Sequence, residues 1–178
     1  LQARQGASLV ARPRHDRHVA GGRERLLLGG GHDRGGAVGA PVRAERAARM
    51  MVANGITAIR SHADTMTGHG LRSVEGLVAA RERLGDLVDL QIVALVSWPV
   101  TGAAGADHRA MLCDALAMGA DVVGGCPHLD DDPDGANEVL LEIAAAHGRM
   151  VDLHTDETLD PRILGLRDLA ARVAKTSF

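Results

Sequence analysis

Three segments of the sequence place a histidine two residues before an aspartate: His62-Ala63-Asp64, His128-Leu129-Asp130 and His154-Thr155-Asp156, the last followed directly by Glu157. In an extended strand, residues i and i+2 project from the same face, so each pair presents an imidazole and a carboxylate together. Such groups converging on one site suit divalent-metal binding or acid-base chemistry. Each also has a plainer role. A strand-end histidine can be a hydrogen-bonded core group, and an aspartate there can cap the next helix, as Asp160 before Pro161 is placed to do. The run Asp130-Asp131-Asp132-Pro133-Asp134 reads as the approach to a helix N-terminus, where carboxylates are favoured by the dipole. His69, His108 and His147 fall on helices or loops and read as solvated. His15, His18 and His32 stand in an unpatterned region without ligand spacing.

Other catalytic templates find no support. No Gly-x-Ser-x-Gly elbow, no His-Glu-x-x-His pair and no Pro-Cys-x-x-Cys signature occurs. Gly29-Gly30-Gly31 and Gly35-Gly36 do not make a phosphate loop, because the required Gly-Lys-Ser/Thr ending is missing and the single lysine is Lys175.

The elements that would position these residues repeat at intervals of about 30 residues, the length of a strand plus crossover helix. Strands are expected at residues 56–62, 90–96, 121–126 and 150–154. Helices are expected at 73–84, 108–118, 137–147 and 161–174. A further helix from Pro41 to Ala53 begins with proline in its first turn and stops at Asn54-Gly55. The second strand ends in Ser97-Trp98-Pro99. Near-continuous apolar strands alternating with helices mean a parallel sheet buried on both faces, as a barrel or an open doubly wound sheet. In either, the active site lies at the C-terminal strand ends, where the His-x-Asp pairs stand. Residues 1–40 carry no period of 2 or 3.6 and read as an irregular or disordered segment, which leaves 41–178 as the folded unit.

With 46% apolar and 24% charged residues and a net charge of -3, the composition is that of an ordinary globular chain. One Trp, one Phe and no Tyr leave no stacking platform for single-stranded nucleic acid. No segment of about 18 apolar residues is present, so no membrane span is expected. Cys113 and Cys126 read as free thiols of a cytoplasmic protein.

Four linked segments carry a family resemblance. They are Asn54 to Asp64, Asp89 to Ala94, Gly119 to His128 and Val151 to Glu157. In words, order and spacing they resemble the cytosine deaminase branch of the amidohydrolases, over about two-thirds of the chain. The resemblance implies a partial (β/α)8 TIM-type barrel, with these segments as barrel strands two to five, and a divalent metal, Fe²⁺ or Zn²⁺. It makes His154 a metal ligand and Glu157 the residue that takes a proton from metal-bound water and returns it to the ring nitrogen. The substrate would be a small nitrogen heterocycle losing an amino group, with Ser97, His62, Asp64, His128 and Asp156 as substrate-binding candidates. Ser97 stands where cytosine deaminases carry a glutamine. A hydroxyl cannot offer the two-sided amide edge that cytosine would meet, so a related heterocycle is expected instead. The family's first strand carries a His-x-His ligand pair, which is absent here, and residues 1–40 occupy its expected place. Its strand-six histidine and strand-eight aspartate would follow residue 178. The expectation is therefore a fragment of a metal-dependent amidohydrolase. The alternative is a catalytically inactive remnant or non-enzymatic binding fragment, whose open sheet edges would favour homo-oligomers.

Overall fold

The computed structural model describes residues 36–175. The elements follow in the order α1 (Gly36–Ala53), β1 (Ala58–Thr65), α2 (Arg72–Leu84), β2 (Asp89–Val96), α3 (Ala106–Met118), β3 (Val122–Gly125), α4 (Pro133–Ala146), β4 (Met150–Leu153) and α5 (Gly165–Val173). All four strands are parallel, and their order in the sheet is their order in the chain.

That order distinguishes the two parallel architectures. A doubly wound sheet reverses strand order at a switch point and places helices on both faces. Here nothing reverses, and the helices share one face. Ala63, Ile92, Ala94, Val96 and Val123 point to that face and form one core with Val74 of α2, Leu112 of α3 and Leu140 of α4. A second cluster, Ala48, Leu84, Val88 and Leu90, seats α1 against the beginning of the sheet. The sheet is thus a barrel wall, not a layer covered by helices on both sides. Its other face carries Arg60, His62, Gln91 and Asp152 above a floor of Val93 and Val122, both fully buried.

β1 runs on to Thr65, which puts His62 inside the strand and not at its end. Three other element boundaries shift from expectation, each for a local reason. α1 begins at Gly36, with Pro41 inside it, so the helix enters the segment expected to be irregular. Proline lacks the N–H that would bond back one turn, but packing offsets this. α1 approaches α2 so closely at Ala40 that a Cβ added to Gly76 would come within 2.9 Å of the Ala40 Cβ. The expectation for residues 1–35, including His15, His18 and His32, lies outside the described residues. α4 begins at Pro133, four residues before the expected start, because the Asp132 carboxylate accepts the Gly135 N–H at 3.0 Å and proline fits the first turn. The last helix starts at Gly165, not Pro161. Asp160 turns inward on its own loop, accepting the Arg162 backbone N–H at 3.0 Å and pairing with the Arg162 guanidinium at 2.6 Å.

Candidate active site

The site develops where the strands end. On β1, residues Arg60, His62 and Asp64 alternate onto the barrel-interior face, while Ala63 and Thr65 turn to the buried helix side. On β4, Asp152 shares the interior face and His154 follows at the strand's end, its N–H bonded to the Gly125 carbonyl at 2.9 Å. The His62 and His154 rings lie side by side, with centroids 5.2 Å apart and planes inclined at 49°.

An ion-pair network lies beneath these rings. Arg60 donates through Nη1 to Asp152 Oδ2 at 2.7 Å and through Nε to Gln91 Oε1 at 2.6 Å. His62 Nε2 stands 3.5 Å from Asp152 Oδ1. At that separation the contact is electrostatic, not a well-formed hydrogen bond, and Arg60 is the tighter partner. The nearby His62 ring and the Arg60 guanidinium hold the Asp152 carboxyl down at about 2, against the opposing effect of partial burial. Sequence reasoning missed Arg60, Gln91 and Asp152. The signal was present: Arg60 precedes His62 by two and Asp152 precedes His154 by two, so each shares a face with a residue already singled out.

Cys126 follows β3 and stands among the candidate carboxylates. Burial pushes its thiol up to about 11, with the charges of Glu157 and Asp64 adding to the rise. Asp64 near the C-terminal end of β1 and Glu157 just beyond β4, both exposed, lie at the same end of the parallel sheet. A short turn at Pro127–Leu129 carries His128, whose Nδ1 donates to the His154 carbonyl at 3.0 Å. A carbonyl can only accept, so the His128 proton sits on Nδ1. Ser97 extends the β1–β2 pairing by one bond, its N–H meeting the Thr65 carbonyl at 3.0 Å. Trp98 beside it is 49% exposed.

Asp156 adopts the left-handed conformation, with φ of 58°. Its two carboxylate oxygens accept the Gly165 and Leu166 N–H groups at 2.6 and 3.1 Å, which caps α5. The structure therefore gives this carboxylate to the helix end. His108, read as solvated, instead donates from Nδ1 to the Pro99 carbonyl at 2.8 Å. A groove of about 860 Å³ runs between α4 and α5 beside Met150. It lies at the start of β4, away from the chemistry at the strand's end.

A catalytic metal centre ordinarily takes three protein ligands. Among the described residues no three His, Cys, Asp or Glu side chains converge closely enough to hold a metal ion. His154 and its neighbours could supply part of a donor set only.

No family model matches the sequence. The pterin deaminase of Rhizobium rhizogenes (strain K84 / ATCC BAA-868) is 33% identical over 138 residues, which are 76% of this chain and 31% of that protein. The solved structure of 5-methylcytosine deaminase from Klebsiella pneumoniae liganded with 5-fluorocytosine superposes with a TM-score of 0.66 at 33% identity, over 76% of this chain and 33% of the other. The chain belongs to the cytosine deaminase-like amidohydrolases. A third relative widens the substrate range: N-isopropylammelide isopropylaminohydrolase from Burkholderia multivorans, with a TM-score of 0.67 at 36% identity over 76% of this chain and 35% of that structure. The chain spans about a third of the length of the relatives it matches. Its four strands and their helices are a sector of this family's TIM-type barrel. The family is generally metal-dependent. Among the described residues no helix is long and apolar enough to cross a membrane.

Proposed function

We propose that this chain is a barrel sector of an enzyme that hydrolyses an exocyclic C–N bond of a cytosine-like nitrogen heterocycle. The observation that carries the reading is the grouping at one sheet end of His154, His62 and the carboxylates of Glu157 and Asp64, in a family whose relatives are deaminases. Glu157 is the proton carrier. It is exposed at the end of β4, free of the capping duty that engages Asp156, and able to accept a proton from water and return it to a ring nitrogen. His154 would supply one ligand to a divalent ion, Fe²⁺ or Zn²⁺, and the rest of its donor set would have to come from outside residues 36–175. An ion held there would make water nucleophilic at neutral pH.

His62, His128, Asp64 and Ser97 form the ring-facing surface. His128 is oriented by its bond to the His154 carbonyl, which ties the β3 loop to the metal-bearing strand. Ser97 in place of an amide favours a heterocycle other than cytosine. The barrel unit takes in residues 36–175, and the protein would work in the cytoplasm on a small molecule, not on nucleic acid.

The test is ammonia release from cytosine, isocytosine and a pterin by the complete polypeptide that carries this sequence, with Glu157→Gln as control. Turnover that the substitution removes supports the reading. A protein that binds these heterocycles without releasing ammonia, or binds none of them, supports the alternative of a silent fragment.

A further inference from the structure

The loop after β2 is held from outside itself by one buried carboxylate. Asp130, 7% exposed, stands on the loop after β3. Its Oδ2 accepts the Val100 N–H at 2.7 Å and the Thr101 N–H at 3.3 Å. Its Oδ1 accepts the Thr101 hydroxyl and, at 3.3 Å, the Asp132 N–H. Burial alone would raise this carboxyl. The bonds from Thr101, Val100 and Asp132 outweigh burial and hold it below the ordinary range.

Three further contacts close the same loop. Arg109 donates to the Val100 and Gly102 carbonyls at 2.7 and 2.8 Å, and His108 to the Pro99 carbonyl at 2.8 Å. Gly105 packs so tightly that an added Cβ would lie 2.3 Å from the Val100 carbonyl carbon, so only glycine fits there. A loop fastened at Pro99, Val100, Thr101 and Gly102 is a fixed wall. Ser97, whose N–H extends the β1–β2 ladder, and Trp98, half exposed and the single tryptophan of the sequence, lead directly into this fastened segment.

We infer that Asp130 is a positioning residue for substrate: its carboxylate sets the 97–102 loop so that Ser97 and Trp98 form a rigid side of the heterocycle pocket. This rests on the deaminase reading above. A wall that is already ordered costs little entropy when the ring docks, and a loosened wall weakens ring binding without touching the proton carrier.

The experiment compares Asp130→Asn, Thr101→Val and Thr101→Ser in the complete enzyme. Thr101→Val removes only the hydroxyl bond, and Thr101→Ser restores it, so the set stays informative if Asp130→Asn folds poorly. Amide exchange at residues 97–102 should accelerate at least about tenfold in the first two variants, the scale of one lost charge-assisted bond. Exchange at Ile92 and Val93 should be unchanged. KM for the heterocycle should rise by a similar factor with kcat within about twofold, and Thr101→Ser should behave as the unaltered enzyme.

Unchanged loop exchange, or acceleration spread evenly over the sheet, would overturn the clamp. Faster loop exchange with KM unmoved would overturn its link to substrate while leaving the deaminase reading intact. An unaltered enzyme that turns over no heterocycle would remove the deaminase reading and, with it, this role for Asp130.

Discussion

Asp152→Asn isolates the charge at the centre of the interior network. Asparagine keeps the shape and one acceptor for Arg60 but removes the negative charge that Arg60 and His62 face. The folded carboxyl titrates at about 2 against an ordinary value of 3.8. At neutral pH that difference corresponds to about 2 kcal/mol of folding stability. The side chain is 17% exposed, so solvent screening trims this figure only modestly. The sign follows from the depressed folded value. The contribution is complete above the unfolded carboxyl value and is lost as pH falls through the folded one. The unaltered chain should therefore exceed Asp152→Asn by about 2 kcal/mol at pH 7 and by roughly half that at pH 3, with convergence below pH 2. Urea unfolding of both proteins between pH 7 and pH 3, with a chelator present, measures the difference directly. Arg60→Met should cost a comparable amount, and the double variant should cost less than the sum, because the two share one interaction. A pH-independent gap, or strict additivity, would refute the assignment of this stability to the Arg60–Asp152 charge pair.

Cys126, in a Cys113→Ser background, should react with iodoacetamide at pH 8 about a hundredfold more slowly than an ordinary thiol, since its thiolate is scarce. Glu157→Gln should speed that reaction by removing one of the charges that raise the thiol, and alkylation rates followed by mass spectrometry give the answer. Leu140, 1% exposed, should cost about 2–5 kcal/mol when cut to alanine. A Cβ at Gly125 would meet Leu140 Cδ1 at 2.8 Å, so Gly125→Ala should destabilise the unaltered chain in denaturant melts more than it does Leu140→Ala. Asp156→Gly removes the cap of α5 without straining a left-handed position. It should cost about 1 kcal/mol, with faster amide exchange confined to the start of that helix.

Much of this architecture can be read from residue order. The strands at Asp89–Val96 and Met150–Leu153 and the helix ending at Leu84 follow from apolar runs and stop signals that act over a few residues. The wall-like arrangement is less legible, because barrel and open sheet share the same local pattern and differ only in strand order. The helix start at Gly36 is set by the close approach of Ala40 to Gly76, a contact between residues 36 apart that no local propensity encodes. The candidate site divides in the same way. His154 and Glu157 announce themselves by type and position after a strand's end, and His62 by its pairing with Asp64 on one face of β1. Asp130 and Asp156 look alike in sequence, each two residues after a histidine. One clamps a neighbouring loop and the other caps a helix 9 residues on. Their partners decide their roles, and those partners are distant in the chain.

The proposed deaminase role rests on the sheet end bearing His154 and Glu157. Ammonia release by the complete polypeptide, loaded with Fe²⁺ or Zn²⁺ and compared with its Glu157→Gln variant, tests it most directly. Ammonia is expected from at least one of cytosine, isocytosine or a pterin, with a loss of about 100-fold or more in the variant, the scale of a positioned proton carrier. Ammonia release that survives Glu157→Gln unchanged, or none from any of these rings, would contradict it.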